Sequence, residues 1–158
     1  MRLPKIVLIV GGRGTGKTTY VEKLLSSNRA GALIVEMFVT DRYKGYPNRS
    51  TFDNLKLSDC VNKRIVIEDA TQYITAGGSK FLRQLIVSSK QLGSDIYIIF
   101  HSCNFVPPFL LAMFDFLLLF PCEPVRKTPA LAPYLQKITA AQRKRAQQYK
   151  PLAVIQAV

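Results

Sequence analysis

The chain has 158 residues, 48% of them hydrophobic and 20% charged, which is the length and composition of a single folded domain. Lys and Arg number 22 against 10 Asp and Glu, and the net charge of +12 excludes an acidic or disordered protein and favours a polyanionic partner. The single His and the lack of any CxxC pair exclude a metal site rich in imidazole or thiolate, so a bound metal would be held mainly by oxygen.

The first half of the chain alternates buried strands with polar or helical segments. Residues 5–10 are a continuous β-branched run that ends in glycines, which predicts a strand buried on both faces. Residues 17–26 have the apolar spacing of a helix, and residues 32–39 are a second buried run. Residues 41–57 mix turn residues, aromatic rings and charges, which predicts a long surface loop or broken connection.

The same alternation continues through the rest of the core. In chain order it predicts a strand at 64–69, a helix over about 79–91 that follows Gly77-Gly78, a strand at 95–101, a short helix from Pro107-Pro108 to about 113, and a strand at 114–120. This pattern predicts an α/β fold of three layers, with a mainly parallel five-stranded sheet between helices. We therefore divide the chain into a core, 1–120, and a Pro-rich, basic extension with a helical tail, 121–158, packed on or projecting from the same domain.

Neither a membrane span nor a secretory leader is predicted. The most apolar segment, 105–120, is interrupted by Pro107, Pro108 and Asp115, and it is shorter than the roughly 20 apolar residues of a spanning helix, so we expect it in the core. No basic and apolar leader precedes the first strand. The three cysteines suggest no disulfide framework, so we expect a reducing, cytoplasmic compartment.

Residues 11–18 satisfy the full P-loop pattern directly after a predicted strand and at the start of a predicted helix. In such a loop the backbone N–H groups and the helix N-terminus surround phosphates, Lys17 reaches the β- and γ-phosphates, and the Thr18 hydroxyl ligates Mg²⁺. The predicted nucleotide contacts are Gly11, Gly12, Arg13, Gly14, Thr15, Gly16, Lys17, Thr18 and Thr19. A P-loop alone does not distinguish a kinase, a GTPase switch and a motor.

Polar side chains end two of the predicted strands. Glu68 and Asp69 follow the third strand, where Glu68 would hold the Mg²⁺ shell and Asp69 would deprotonate the attacking water. Hydrolytic P-loop motors usually place Asp before Glu, so the role of each acid stays open, as does a pair of merely solvated acids. His101, the only His, ends the fourth strand, where it would either sense the γ-phosphate or be structural.

These pieces together resemble the FtsK/HerA branch of P-loop ATPases, which includes viral genome-packaging ATPases and the assembly ATPases of filamentous phages. The likeness covers about residues 4–120 and rests on the P-loop, the acid pair, the stretch 89–96, and His101 followed by Pro107-Pro108. It implies ATP and Mg²⁺ as cofactors and a five-stranded core of the additional-strand class. In that core the His101 strand lies between the P-loop strand and the acid-pair strand.

The resemblance also implies a ring of identical subunits in which an Arg of one subunit completes the next subunit's site. Arg83 is the first choice for this residue and Lys90 the second, and both are alternatively solvated helix charges.

The function implied is Mg²⁺-dependent ATP hydrolysis that drives DNA translocation, as in viral genome packaging. The protein would be cytoplasmic or virion-associated, and capsid or membrane-vertex proteins would be further partners. Two basic segments would contact DNA, or are simply solvated; their residues are Arg42, Tyr43, Lys44 and Arg49 in one and Arg143, Lys144 and Arg145 in the other. The alternatives are a small P-loop nucleoside or nucleotide kinase and a non-catalytic, ATP-gated assembly protein.

Overall fold

The framework of the fold is a seven-stranded sheet, seen in a computed structural model that describes residues 3–37, 41–75, 79–147 and 149–157. Its strands are β1 (Ile6–Val10), β2 (Ala32–Glu36), β3 (Arg49–Thr51), β4 (Arg64–Ile67), β5 (Asp95–Phe100), β6 (Phe116–Leu119) and β7 (Ala153–Gln156). They lie in the order β3-β2-β4-β5-β1-β6-β7. Every neighbouring pair is parallel except β6 and β7, which are antiparallel. The predicted α/β class and mainly parallel sheet are confirmed.

Helices cover both faces of this sheet. They are α1 (Lys17–Leu25), α2 (Ala70–Thr75), α3 (Ser79–Leu92), α4 (Pro108–Leu111) and α5 (Ala132–Gln142). On one face, Ile9 of β1 is in the same buried cluster as Val21 of α1. On the other face, Leu8 is clustered with Leu85 of α3 and Ile138 of α5. Strands enclosed in this way need apolar residues at every position, and all five residues of β1 are buried.

The order of the central strands brings three predicted motifs to one edge. The strand that ends at His101, β5, lies between the P-loop strand β1 and the acid-pair strand β4, as the resemblance implied. Because parallel strands end at the same edge of a sheet, their following residues come together there. The candidate site lies at this edge.

The predicted number of five strands is wrong, because two short strands were not predicted from the sequence. β3 lies inside the predicted loop 41–57 and has three half-buried residues with no apolar alternation. β7 lies in the C-terminal extension and adds an antiparallel edge strand to β6. The basic cluster 143–145 follows the end of α5 rather than forming part of it, so the predicted helical basic tail is also corrected.

Element boundaries differ by a few residues elsewhere. The strand predicted at 32–39 ends at Glu36, and residues 38–40 lie outside the described part of the chain, as do the predicted break at Gly77-Gly78 and residue 76. The short helix α2, directly after the acid pair, was not predicted. The apolar segment 105–120 forms α4 and β6 within the core, as expected. Among the described residues, no helix has the length and apolarity needed to cross a membrane.

Candidate functional site

A cavity of about 540 Å³ lies where the P-loop meets the carboxyl ends of β4 and β5. Its walls include residues 13–19 of the P-loop and the first turn of α1, together with Glu68, Asp69 and His101. Arg42, Gln72 and Tyr149 line it from three other segments. The structure therefore brings the predicted P-loop, acid pair and sensor position around one space. Arg42 was predicted to contact DNA instead, whereas Gln72 and Tyr149 were not singled out.

Close packing fixes the shape of the P-loop. Gly11 lies against β6, and a Cβ placed on it would be 2.5 Å from Phe120 Cβ, so a larger residue would displace the loop. Gly16 caps α1 with φ of 92°, a left-handed conformation that favours glycine. The Thr15 hydroxyl donates a hydrogen bond to Gly12 O over 2.8 Å. The loop thus presents its backbone around the start of α1, as phosphate binding requires.

Lys17 is a buried cation at the centre of this loop. Its side chain is 6% exposed, and Nζ donates hydrogen bonds to Gly11 O over 2.6 Å and to Gly12 O over 2.7 Å. Burial lowers the pKa of the Lys17 ammonium, and the nearby Glu68 and Asp69 carboxylates oppose this effect. An ammonium has three donors, so Lys17 can contact a phosphate oxygen while the loop carbonyls hold it in place.

Glu68 is fixed by contacts from both sides. The Thr18 hydroxyl donates to Oε1 over 2.9 Å, and the Tyr43 hydroxyl donates to Oε2 over 2.9 Å. Arg42 Nη1 lies 3.4 Å from Oε1. Both carboxylate oxygens therefore have partners, and the side chain faces the first turn of α1. Burial and the adjacent Glu68 carboxylate raise the pKa of the Tyr43 hydroxyl, so Tyr43 acts as a donor to Glu68.

Replacing Tyr43 with phenylalanine is expected to lower the free energy of unfolding by about 2 kcal/mol, because the hydrogen bond to a charged, buried acceptor is lost while the ring still packs. Urea denaturation would measure the change. Tyr134→Phe is the matched control, since Tyr134 is also a buried tyrosine, packed against Phe114, and its hydroxyl has no hydrogen bond within the described structure. Equal losses in the two variants would contradict the assigned contact.

Asp69 has an unusual backbone and, among the described residues, one carboxylate oxygen without a hydrogen bond. Its φ is 51°, in the left-handed region that non-glycine residues adopt mainly where the surroundings impose it. Gln72 Nε2 donates to Oδ2 over 2.6 Å. His101 Nε2 lies 3.3 Å from Oδ1, but within the described structure this buried oxygen accepts no hydrogen bond, and buried His101 Nδ1 forms none either. Asp69 and His101 thus form a second polar pair beside the Thr18–Glu68 contact.

Oxygen atoms from Thr18 and Glu68 fit the needs of Mg²⁺. Thr18 Oγ1 and Glu68 Oε1 are 2.9 Å apart, one a hydroxyl and the other a carboxylate oxygen. Mg²⁺ in phosphate-binding sites is usually held by one or two such protein oxygens, with phosphate oxygens and waters completing the octahedron. Within the described ranges, no group of three or more His, Cys, Asp and Glu side chains could hold a metal without other ligands.

Two of the predicted DNA contacts have little exposed surface. The Tyr43 side chain is fully buried, so its ring cannot stack on a base. Arg49 forms an ion pair with Glu36, with Nη2 2.5 Å from Oε2, and its side chain is only 18% exposed. Lys44 is exposed, as are residues 143–145. Tyr43 and Arg49 therefore support the cavity and the sheet edge, through Glu68 and Glu36 respectively.

Arg83 lies on α3 outside the cavity. Its guanidinium stacks on the ring of Phe109 in the same chain, with Cζ 4.5 Å from the ring centre, and the residue is exposed. Lys90, the second candidate, is also exposed on α3. Either residue could act on a site only in a neighbouring subunit, so their predicted role stays a prediction.

The additional cavity residues carry different sequence signals. Gln72 lies on α2, three residues after Asp69, a spacing that brings side chains together on a helix. The sequence would have indicated this contact if a helix had been predicted after the acid pair. Arg42 precedes Tyr43 in a segment with an evident basic and aromatic character, but its partner Glu68 is remote in sequence. Tyr149 lies far beyond the predicted core, and no motif marks it.

Comparison with known proteins supports the fold. No protein-family model matches the chain, and no curated protein matches it. The genome packaging NTPase B204 from Sulfolobus turreted icosahedral virus 2, in complex with AMP, is similar with a TM-score of 0.65 and 12% identity, over 99% of this chain and 94% of that chain. Its complex with ATP-gammaS gives a TM-score of 0.64 and 13% identity, over 94% and 90%. The chain therefore has the fold of a viral packaging NTPase.

Proposed function

We propose that this chain is a Mg²⁺-dependent ATPase that translocates DNA, with the packaging of a viral genome as its setting. The observation that carries the proposal is one cavity lined by the P-loop, by both acids and by His101. Within it, Thr18 is hydrogen-bonded to Glu68, and His101 lies 3.3 Å from Asp69. The similar NTPase B204 has been solved with ATP-gammaS and with AMPPCP, which supports ATP as the nucleotide for this cavity.

The P-loop and the Thr18–Glu68 pair would bind the triphosphate. Backbone N–H groups of the loop and the ammonium of Lys17 would contact its oxygens, with Lys17 held by the carbonyls of Gly11 and Gly12. Thr18 and Glu68 would hold Mg²⁺, which when bound neutralises part of the phosphate charge. Tyr43 and Arg42 keep the Glu68 carboxylate oriented for this task.

Asp69 would act as the general base. Its carboxylate would take a proton from water, the water oxygen would form a bond to the γ-phosphorus, and the bond from that phosphorus to the bridging oxygen would break to release ADP. Gln72 donates a hydrogen bond to Oδ2, which fixes the orientation of the Asp69 carboxylate. His101, 3.3 Å from Oδ1, would register whether the γ-phosphate is present by changing its contact with Asp69.

The charge and the exposed cations support DNA as the polyanion. A net charge of +12 favours binding to a phosphate backbone through release of counterions. Lys44 and the cluster 143–145 are exposed and would supply these contacts. In a ring of identical subunits, Arg83 of one subunit would reach the cavity of the next, and capsid or membrane-vertex proteins would anchor the ring during packaging.

Steady-state ATP hydrolysis at low salt, with and without duplex and single-stranded DNA, tests this function, and light scattering gives the oligomeric state of the same sample. We expect DNA to stimulate turnover in a ring-sized species. A triple substitution of Arg143, Lys144 and Arg145 by alanine should weaken the stimulation and its salt dependence while leaving DNA-free hydrolysis unchanged, because these residues lie outside the cavity.

Two other outcomes would overturn the proposal. A monomer whose ATP turnover does not change with DNA, and which transfers phosphate to an added nucleoside or nucleotide, would be a kinase. A chain that assembles with ATP but turns over negligibly, with or without DNA, would be an ATP-gated assembly protein.

A further inference from the structure

The C-terminal segment contacts the P-loop at two points. The N–H of Gly12 donates a hydrogen bond to Pro121 O over 2.7 Å. Tyr149 packs on Gly16 so closely that a Cβ on Gly16 would lie 2.7 Å from Tyr149 Cδ1 and 3.1 Å from Tyr149 Cα. Tyr149 itself has φ of 59°, so its backbone is held in the left-handed region at this contact. The C-terminal segment thus contacts the P-loop through a backbone hydrogen bond at Pro121 and through the packed Tyr149 ring.

A second cavity of about 430 Å³ lies between these two contacts. It is lined by Gly14 and Thr15 of the P-loop and by Pro121, Ala146, Gln147 and Tyr149 of the C-terminal segment. Gly14, Thr15 and Tyr149 also line the larger cavity that holds Lys17 and the acids, so the two cavities adjoin. A ligand bound through its phosphates in one could extend into the other.

The walls of the second cavity differ in chemistry from those of the first. Among the described residues, no charged side chain lines it, whereas the first cavity contains Lys17, Glu68 and Asp69. Pro121, Ala146 and the Tyr149 ring are apolar surfaces, and Gln147 offers an amide donor and acceptor. Tyr149 keeps 40% of its surface exposed although it packs on Gly16. Such walls suit a flat, uncharged ring with a polar edge.

We propose that this second cavity binds the base of the nucleotide, with the ring of Tyr149 stacking on it. Of the proposed function, this proposal requires only that the P-loop binds the phosphates of a nucleotide. It assigns base binding to the C-terminal segment, outside the predicted core 1–120. Because stacking needs only a π-face, it favours the larger purine rings over pyrimidines without requiring one particular purine.

Calorimetric titration of the full chain with ATP and with inorganic tripolyphosphate, both with Mg²⁺, separates base binding from phosphate binding. Tyr149→Ala should raise the Kd for ATP about tenfold and leave the Kd for tripolyphosphate unchanged, since loss of one stacked base costs about one to three kcal/mol. Tyr149→Phe should bind both like the unsubstituted chain. Val154→Ala, which removes an exposed apolar side chain on β7, is the control for truncation in the same segment.

A second variant tests the cavity without altering Tyr149. Ala146→Trp adds bulk at an exposed position of the cavity wall and should weaken ATP binding while sparing tripolyphosphate. The proposal is overturned if Tyr149→Ala leaves ATP binding unchanged, or if it weakens ATP and tripolyphosphate equally, which would make Tyr149 a support for the P-loop. Failure of the proposed function would look different: ATP would still bind more tightly than tripolyphosphate, but DNA would not stimulate hydrolysis.

Discussion

Replacing Lys17 with alanine is expected to lower kcat/KM for ATP hydrolysis by at least about a hundredfold, the usual loss when a group that stabilises transition-state charge is removed. Lys17 is a buried cation in the loop, and its Nζ is held by two backbone carbonyls within 2.6 and 2.7 Å. Without it, the phosphate charge that develops during hydrolysis is less neutralised. Phosphate release and ATP titration would measure the losses in turnover and in binding.

The control for this experiment is Lys137→Ala, which removes an exposed cation from α5 and should leave turnover unchanged. The folded state of Lys17→Ala is checked by its circular dichroism and its urea midpoint. Burial already lowers the pKa of the Lys17 ammonium, so its removal relieves a desolvation cost as well as removing two hydrogen bonds. Undiminished hydrolysis in the folded variant would refute the P-loop as the ATP site.

The central part of the fold could be predicted because its signals are local. β1 is a continuous apolar run and β5 is one after Asp95, as expected of parallel strands that are covered on both faces. The P-loop is likewise a contiguous pattern whose glycines are required by its own backbone and by contact with Phe120. By contrast, β3 and β7 are edge strands of three and four residues, too short to establish a periodicity.

The supports of the candidate site could not be predicted because their reasons are tertiary. Tyr43 lies in a segment whose cations and rings are typical of nucleic-acid contact, yet the fold buries it against Glu68, 25 residues away in sequence. Arg49 is drawn into the sheet edge by Glu36. Tyr149 reaches Gly16 only because β7 returns the C-terminal segment to the sheet beside β6. None of these contacts can be predicted from the spacing of residues or from the composition of the sequence.

The inverted order of the acid pair left the two roles open, and hydrogen bonding now distinguishes the side chains. Both oxygens of Glu68 have donors, from Thr18 and Tyr43. Asp69 has one oxygen held by Gln72 and one buried oxygen that accepts no hydrogen bond within the described structure. A general base needs a lone pair that no hydrogen-bond donor already holds, whereas a metal ligand needs a fixed orientation. This difference favours Asp69 as the base and Glu68 as the ligand.

Asp69→Asn is therefore expected to lower kcat by about 10²- to 10⁴-fold while ATP still binds, which is the range associated with loss of a general base. Asn has the same shape, adopts the left-handed φ of 51° more readily than most residues, and can still accept the hydrogen bond from Gln72, so the backbone is not disturbed. Single-turnover hydrolysis and ATP titration of the same sample would measure the two effects.

Glu68→Gln supplies the comparison that decides between the acids. It keeps the side-chain length and one oxygen for Thr18 or Tyr43, but it removes the negative charge that a divalent cation needs. We expect the Mg²⁺ concentration for half-maximal hydrolysis to rise in Glu68→Gln and to stay unchanged in Asp69→Asn. If Asp69→Asn shifts the Mg²⁺ dependence and Glu68→Gln abolishes single-turnover hydrolysis at saturating Mg²⁺, the two acids have exchanged roles, and Thr18 then contacts the base rather than the metal ligand.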